Sequence, residues 1–368
     1  SLQISYDQYE RDDVLGDKRR TLDMNFQDRF AWGQRQDLTW GFEYRRSASR
    51  ARGSFFLSFV PPAVSMQLFS SFLQDEIAIL PDRLYLTVGT KLEDNHYTGF
   101  AAMPSIRVAF IPSANRTIWA AISRVDRTPA ETDTSLLLNI GELPSSGGPP
   151  TLLRFMGNPH FQDEVSTAYE AGFRTAVAKR LTLDLSAYYG DYDNQQTIEP
   201  AAPFFENSPS PPHLVVPFRY ANLMHGETHG LEASANWKPA ARWALSTGYA
   251  FEQIHMHPAP SSQDTTSAGE AEGSSPVHSA QLRSSILLWR NVNWDTSAYF
   301  VDRLVDPTTP SYTRVDTQLW FPLGERGSLS LVGQNLVHDH HQEFTDSTGS
   351  AIPTLVKRSA YAKFTWQF

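Results

Sequence analysis

The chain contains no cysteine, so thiolate metal ligands, a cysteine nucleophile and a disulfide scaffold are excluded. Chemistry has to come from histidines, carboxylates and hydroxyls. The densest group of candidate ligands is His338, Asp339, His340 and His341. Side chains alternate along a strand, which would put His338 and His340 on one face, and neutral imidazole suits a transition metal. His255 and His257 repeat that spacing. Both pairs lie where a strand is expected to pass into a long loop, a place that favours polar residues anyway, so no metal and no cofactor is assigned. Asp184, Glu232 and Asp316 each sit in an alternating polar row, where solvation explains them without acid/base pairing. No GxSxG, HExxH, P-loop, GxGxxG or CxxC motif occurs, and the expectation is that the chain is not an enzyme. Phe161, Phe204 and Phe205 stand in long connections. With His255, His257, His338 and His340 they are the candidate ligand contacts, against the alternative that loop aromatics pack among themselves.

The elements that would position these residues are strands. Leu22, Met24, Phe26, Phe30 and Trp32 alternate with Asp23, Asn25, Gln27 and Arg29, and only Asp28 breaks the apolar series. Leu38, Trp40, Phe42 and Tyr44 oppose Asp37, Thr39, Glu43 and Arg45, and the pattern returns at 181–186, 231–237 and 314–321. Each such segment has one apolar and one strongly polar face. About 16 of them, roughly 10 to 13 residues long, are legible, a length that crosses a bilayer when tilted. They fall at 2–9, 19–32, 37–48, 65–80, 84–94, 100–112, 116–125, 164–177, 181–193, 215–237 (broken near Met224), 243–256, 277–290, 293–303, 311–322, 328–338 and 357–368. Soluble strands average about 5–6 residues. No run approaches ~18 apolar residues, so a transmembrane helix is excluded. The balance of 31 Lys+Arg against 40 Asp+Glu, net −9, opposes a nucleic-acid partner.

The connections alternate short and long. Gly33–Arg35, Pro81–Arg83, Ser113–Asn115, Ala178–Arg180, Lys238–Ala240 and Gly324–Arg326 read as tight turns. Long stretches lie at about 126–163, 194–214, 257–276 and 339–356, the third of low complexity and expected to be mobile. Alternation puts the long loops at one end and the turns at the other, as in outer-membrane barrels. Aromatics flank the turns (Phe30 and Trp32, Trp237 and Trp243, Trp289 and Trp294, Trp320 and Phe321, Trp366 and Phe368) and fit an interface girdle. The expected fold is therefore all-β, an antiparallel transmembrane β-barrel whose polar rows line the interior, in a single domain over 1–368.

Several stretches resemble the barrel of TonB-dependent outer-membrane receptors of the siderophore and cobalamin type. Phe72-Leu73-Gln74-Asp75-Glu76 followed by Leu86-Thr87-Val88-Gly89-Thr90-Lys91 resembles "FxQDE … LTLGxR". Arg127-Thr128-Pro129 resembles "RTP". Gly157-Asn158-Pro159, Glu164 and Tyr169-Glu170-Ala171-Gly172-Phe173-Arg174 match "GNPxLxPExSxxYExGxR". Gly226-Glu227-Thr228-His229-Gly230-Leu231-Glu232 resembles "GxTxGxE", and Gly333-Gln334-Asn335-Leu336 matches "GxNL". The end, with Phe364, Trp366 and Phe368 on one face, resembles the signal read by the outer-membrane assembly machinery, although Lys363 stands where that pattern often has Gly.

The resemblance implies a Gram-negative outer membrane, about 16 strands of an expected 22, and a C-terminal barrel portion without the family's plug. It further implies active uptake of a scarce ligand such as a ferric siderophore, through the TonB complex acting on that plug. A passive porin-like channel is the alternative, since 16 is also a porin strand number.

Overall fold

The computed structural model describes residues 1–143, 147–346 and 352–368. Sixteen long strands succeed one another in chain order, each antiparallel to the next. They are β1 (Leu2–Glu10), β2 (Asp17–Trp32), β3 (Gln36–Ala51), β4 (Ala63–Leu80), β5 (Leu84–Asn95), β6 (Gly99–Ser113), β7 (Arg116–Arg127) and β8 (Glu164–Val177). They continue as β9 (Leu181–Pro200), β10 (His213–Ala240), β11 (Trp243–Pro258), β12 (His278–Leu287), β13 (Asn293–Val301), β14 (Tyr312–Leu323), β15 (Gly327–Gln334) and β16 (Ser359–Trp366). Among the described residues six shorter strands lie in the loops. Among the described residues β1 pairs only with β2 and β16 only with β15, and both end strands are exposed along their length.

Register carries one face unbroken around the wall. Starting from Met24 and Tyr44 it runs through Phe69, Val88, Ile106, Ile122, Tyr169 and Tyr189, and on through Leu231, Phe251, Leu282, Trp294, Leu331 and Phe364. Most of these side chains are large, apolar and exposed, as a lipid-facing surface must be. The opposite face holds Asp23, Arg45, Glu93, Arg107, Arg174, Asp184, Glu232, Gln281, Arg314 and Asp316. Asp184 is ion-paired with Arg174, and Asp316 lies 2.8 Å from Arg314, so these carboxylates sit in charge-balanced inner rows. In a membrane the continuous ladder is obligatory, because an unpaired backbone group in lipid costs several kcal/mol.

Two inner glycines are required by close packing. A Cβ at Gly172 would run into the Trp119 ring, and one at Gly230 into Tyr188. Each aromatic lies across the neighbouring strand where only glycine leaves room.

Tight turns join even to odd strands, and Gly33, Asp82, Ala178, Asn291 and Gly324 take the left-handed backbone there. Phe30, Trp32, Trp237, Trp243, Trp294, Phe321 and Trp366 line the outward side of this end, whereas Trp320 faces inward opposite Ser330. Loops join odd to even strands, with one departure from strict alternation: β5 and β6 are joined by His96, Tyr97 and Thr98 alone.

Several expected boundaries differ, for example 181–193, which extends to Pro200, and three of the differences bear on the site. The break expected near Met224 is a pair of offsetting irregularities and not a gap: β10 stays continuous, β9 carries an extra residue between Tyr192 and Gln195, where Asn194 takes φ 58°, and β10 carries one between Ala221 and Met224. β15 stops at Gln334 because Asn335 takes φ 53°, so strand alternation never reaches His338. The turn expected at 238–240 falls at 241–242.

Candidate functional site

The loop end carries a cap built from distant segments. After β7 the chain enters a five-residue helix, Glu131–Ser135, and then a hairpin of Leu136–Leu143 and Thr151–Met156. Leu57–Phe59, between β3 and β4, pairs with Leu136–Leu138. On the hairpin's other side, Thr151–Met156 pairs in parallel with Leu214–Arg219 of β10, and Phe204–Glu206 adds to His213–Val215. The cap thus joins the region of β4 to β10. Six strand spacings of about 4.8 Å make ~29 Å along the wall, yet three ladder spacings, ~14 Å, bridge the gap. The wall must therefore curve around an interior. Ala51, Phe59 and Leu136 form a small core beneath, against Leu15, Leu57, Leu138 and Tyr220.

Polar ties hold the helix inside the wall. Glu131 Oε2, on a nearly buried carboxylate, accepts from Ser49 Oγ at 2.8 Å and from Arg19 Nη2 at 3.1 Å. Asp133 Oδ2 accepts from the Ala130 N–H and from Arg127, which also pairs with Glu164. Thr128 donates to Glu93 at 2.9 Å, and Thr98 to Asp163 at 2.7 Å. Burial raises the Asp163 carboxyl above its ordinary range and pushes the Tyr97 phenol up to about 12. Two of the motifs singled out in the sequence, Arg127-Thr128-Pro129 and the one that opens with Gly157-Asn158-Pro159, act here as tethers. A Cβ at Gly157 would meet the Ser135 backbone nitrogen at 2.5 Å, the Asn158 N–H bonds to the Asp133 carbonyl, and Glu164 takes the Gln196 N–H.

At the centre of the cap Arg154, 6% exposed, donates twice to Glu206 at 2.7 and 2.9 Å and once to Asn139 at 2.7 Å. His213 lies 3.3 Å from the same carboxylate. The Arg154 hydrogen bonds hold Glu206 below the usual carboxylate range.

The candidate contacts distribute unevenly. Phe161 is 2% exposed and packed within the loop, whereas Phe204 and Phe205 are exposed on the short strand beside β10. His338 and His340 are exposed outside any shared strand face. Their neighbour His341 is the buried one, stacked on Tyr312 at 4.4 Å and bonded to Glu343, which reaches Arg314 on the inner wall. His255 and His257 point outward and meet His225, Glu227 and His229 of β10. Sequence reasoning missed that grouping, although His225-x-Glu227-x-His229 has the same two-residue spacing. The 257–276 stretch, expected to be mobile, contains the helix Ser267–Gly273 and is tied down. Glu199 accepts from Ser262 and Gln263, and Asp264 from the Ile198 N–H. Toward the turn end the inner wall borders a cavity of about 930 Å³ lined by Arg107, Trp119, Arg174, Asp184, Glu232 and Gln281. Among the described residues no helix is long and apolar enough to cross a membrane, which says nothing of strands.

An apolar outer face, a charged inner face, turns at one end and interlocked loops at the other define an outer-membrane β-barrel of the receptor class. Residues 2–336 match the family model described as "TonB dependent receptor-like, beta-barrel", and the chain belongs to that family. Members are transport receptors of the Gram-negative outer membrane, not enzymes. Similar solved structures include a variant of the ferric enterobactin receptor PfeA from Pseudomonas aeruginosa (TM-score 0.73, 17% identity, covering 96% of this chain and 54% of that one). The siderophore receptor PirA from Pseudomonas aeruginosa gives 0.70 at 16%, over 100% and 59%. The FrpB iron transporter from Neisseria meningitidis gives 0.70 at 12%, over 96% and 55%. The chain therefore spans little more than half the length of these structures. No curated protein sequence matches it.

Proposed function

We propose that this chain is the membrane-spanning wall and ligand-capturing mouth of an importer that takes up a scarce ligand, a ferric siderophore first of all, with energy from the TonB complex acting through a plug. The observation that carries this reading is the two-faced register maintained across sixteen strands under a tethered cap, in a chain of the TonB-dependent family. The named ligands of similar structures, enterobactin among them, point to the ligand class. Phe204, Phe205, His338 and His340 are the exposed candidates for ligand contact at the mouth. Phe364, Trp366 and Phe368 would serve recognition by the assembly machinery. Uptake of radiolabelled iron with a panel of siderophores tests it, in cells lacking their own receptors and expressing the full gene product. The expected result is uptake that stops when TonB is deleted or the proton gradient is collapsed.

One observation favours the passive channel instead. The helix Glu131–Ser135 is tied to the inner wall at Ser49 and Arg19, as a constriction loop would be. Energy-independent liposome swelling by small solutes, without gradient-dependent iron uptake, would establish that reading.

A further inference from the structure

The outward face of the β10–β11 pair carries a patch of imidazoles and carboxylates that lies off the interior. His225 stands opposite His257, and Glu227 opposite His255, with Asp191 of β9 on the other side of Glu227. The His225 and His257 rings lie 5.5 Å apart, and His229 stacks on His255 at 5.9 Å and 27°. Nε2 of His257 is 3.4 Å from Oε2 of Glu227. Along 181–191, 225–237 and 243–257 these outward rows contain no lysine or arginine.

Height along the wall follows from the strand. Trp237 marks the turn-side rim, and His229 and His225 lie eight and twelve residues above it. At about 3.3 Å per residue and a tilt near 40° they stand ~20 and ~30 Å higher, around the top of an apolar band ~25 Å tall. Tyr169 and Tyr189, in the row of His229, form the aromatic rim at that level. The patch therefore emerges from hydrocarbon into the hydrated headgroup layer, where its side chains reach dissolved ions.

Imidazoles with a carboxylate are the donor set of borderline divalent metals such as Zn²⁺, Ni²⁺ and Cu²⁺. Three features argue against an anionic ligand: Glu227, Asp191 and the absence of a fixed cation. As placed, among the described residues no three donors converge on one point. The backbone nevertheless suits convergence: the opposite pairs Glu227–His255 and His225–His257 should have Cβ atoms about 4.5–5.5 Å apart and the diagonal pair Glu227–His257 about 7–8 Å, a gap the side chains already span to 3.4 Å. Side-chain rotation of these exposed and partly exposed groups would bring two rings and a carboxylate toward one ion with the ladder unmoved.

We propose that this ladder is a binding site for a divalent transition-metal ion, with Glu227 and His257 as its primary donors and His225 or His255 completing the set. It lies on the outer surface, apart from the interior through which a transported ligand would pass, and joins β10 to β11 side chain to side chain.

The test uses the whole chain in detergent micelles. Zn²⁺ titration by calorimetry should give one ion per chain. Cu²⁺ should give an electron paramagnetic resonance spectrum with imidazole nitrogen splitting. Glu227→Gln and His257→Gln should each weaken binding at least tenfold, with the melting profile of the metal-free protein unchanged because both side chains are partly exposed. The double variant His338→Gln/His340→Gln should bind as the wild type does. Equal affinity in wild type and His257→Gln, or loss of binding in the His338/His340 variant, would overturn the assignment.

Discussion

Glu131→Gln isolates the tie between the inward helix and the wall. The carboxylate accepts from Ser49 at 2.8 and 3.1 Å and from Arg19 at 3.1 Å, and it is almost fully buried. The amide keeps the shape but loses the charge. A hydrogen bond to a charged group contributes about 1.5–3 kcal/mol. Arg19 is one-third exposed, so water recovers part of its loss, and the lower half of that range applies. Undocking should become easier by about 2 kcal/mol, a ~30-fold rise in the open population. Hydrogen exchange reads it at the amides of Asp133, Gly157 and Asn158, whose acceptors are Ala130, Leu136 and Asp133. These should speed up ~30-fold while β9 and β10 amides hold their rates. A change under threefold, or equal acceleration of the wall, would refute the claim that this carboxylate docks the helix.

Three further outcomes follow from the same geometry. Glu206 is held below its ordinary pKa by Arg154, so its contribution is complete above the unfolded value of about 4.3 and fades as pH falls through the folded one. Exchange at 151–156 should accelerate below about pH 4 in the wild type, and Glu206→Gln should flatten that dependence. Leu185→Arg, on the outward face, should destabilise the membrane-inserted protein by about 2–4 kcal/mol in urea unfolding from vesicles, while Ser186→Arg on the inner face should cost under ~1 kcal/mol. Gly172→Val should displace the Trp119 ring that Arg107 overlies at 5.8 Å, seen as a shift in Trp119 fluorescence and a loss of about 1–3 kcal/mol.

The wall was legible because its code is local. A two-residue period such as Leu181, Leu183, Leu185 against Thr182, Asp184, Ser186 reports a strand with one apolar and one polar face wherever it occurs, and strand length with the alternation of turns and loops adds the membrane. Features set by single backbone angles were harder to read: asparagine tolerates the left-handed region, but its presence at 335 does not say that β15 ends there and that His341 rather than His340 turns toward the wall. The cap was invisible for a different reason. Its pairing of Leu57–Phe59 with Leu136–Leu138, and of Thr151–Met156 with Leu214–Arg219, joins segments far apart in sequence and leaves no periodic trace. The Arg127-Thr128-Pro129 and Gly157-Asn158-Pro159 motifs marked the right places but not their role, since tethering depends on partners such as Glu93, Asp133 and Ser135. The low-complexity stretch misled because composition carries no record of Glu199 and Asp264 clamping it.

The shared ladder at the mouth also constrains how specificity can change over time. Lengthening or shortening any one of its contributing segments would pull on the others, so insertions there should be poorly tolerated. New preferences would have to arise by swapping outward-pointing groups such as Phe204 and Phe205 on a fixed frame, or in connections outside that frame, such as the one between β13 and β14.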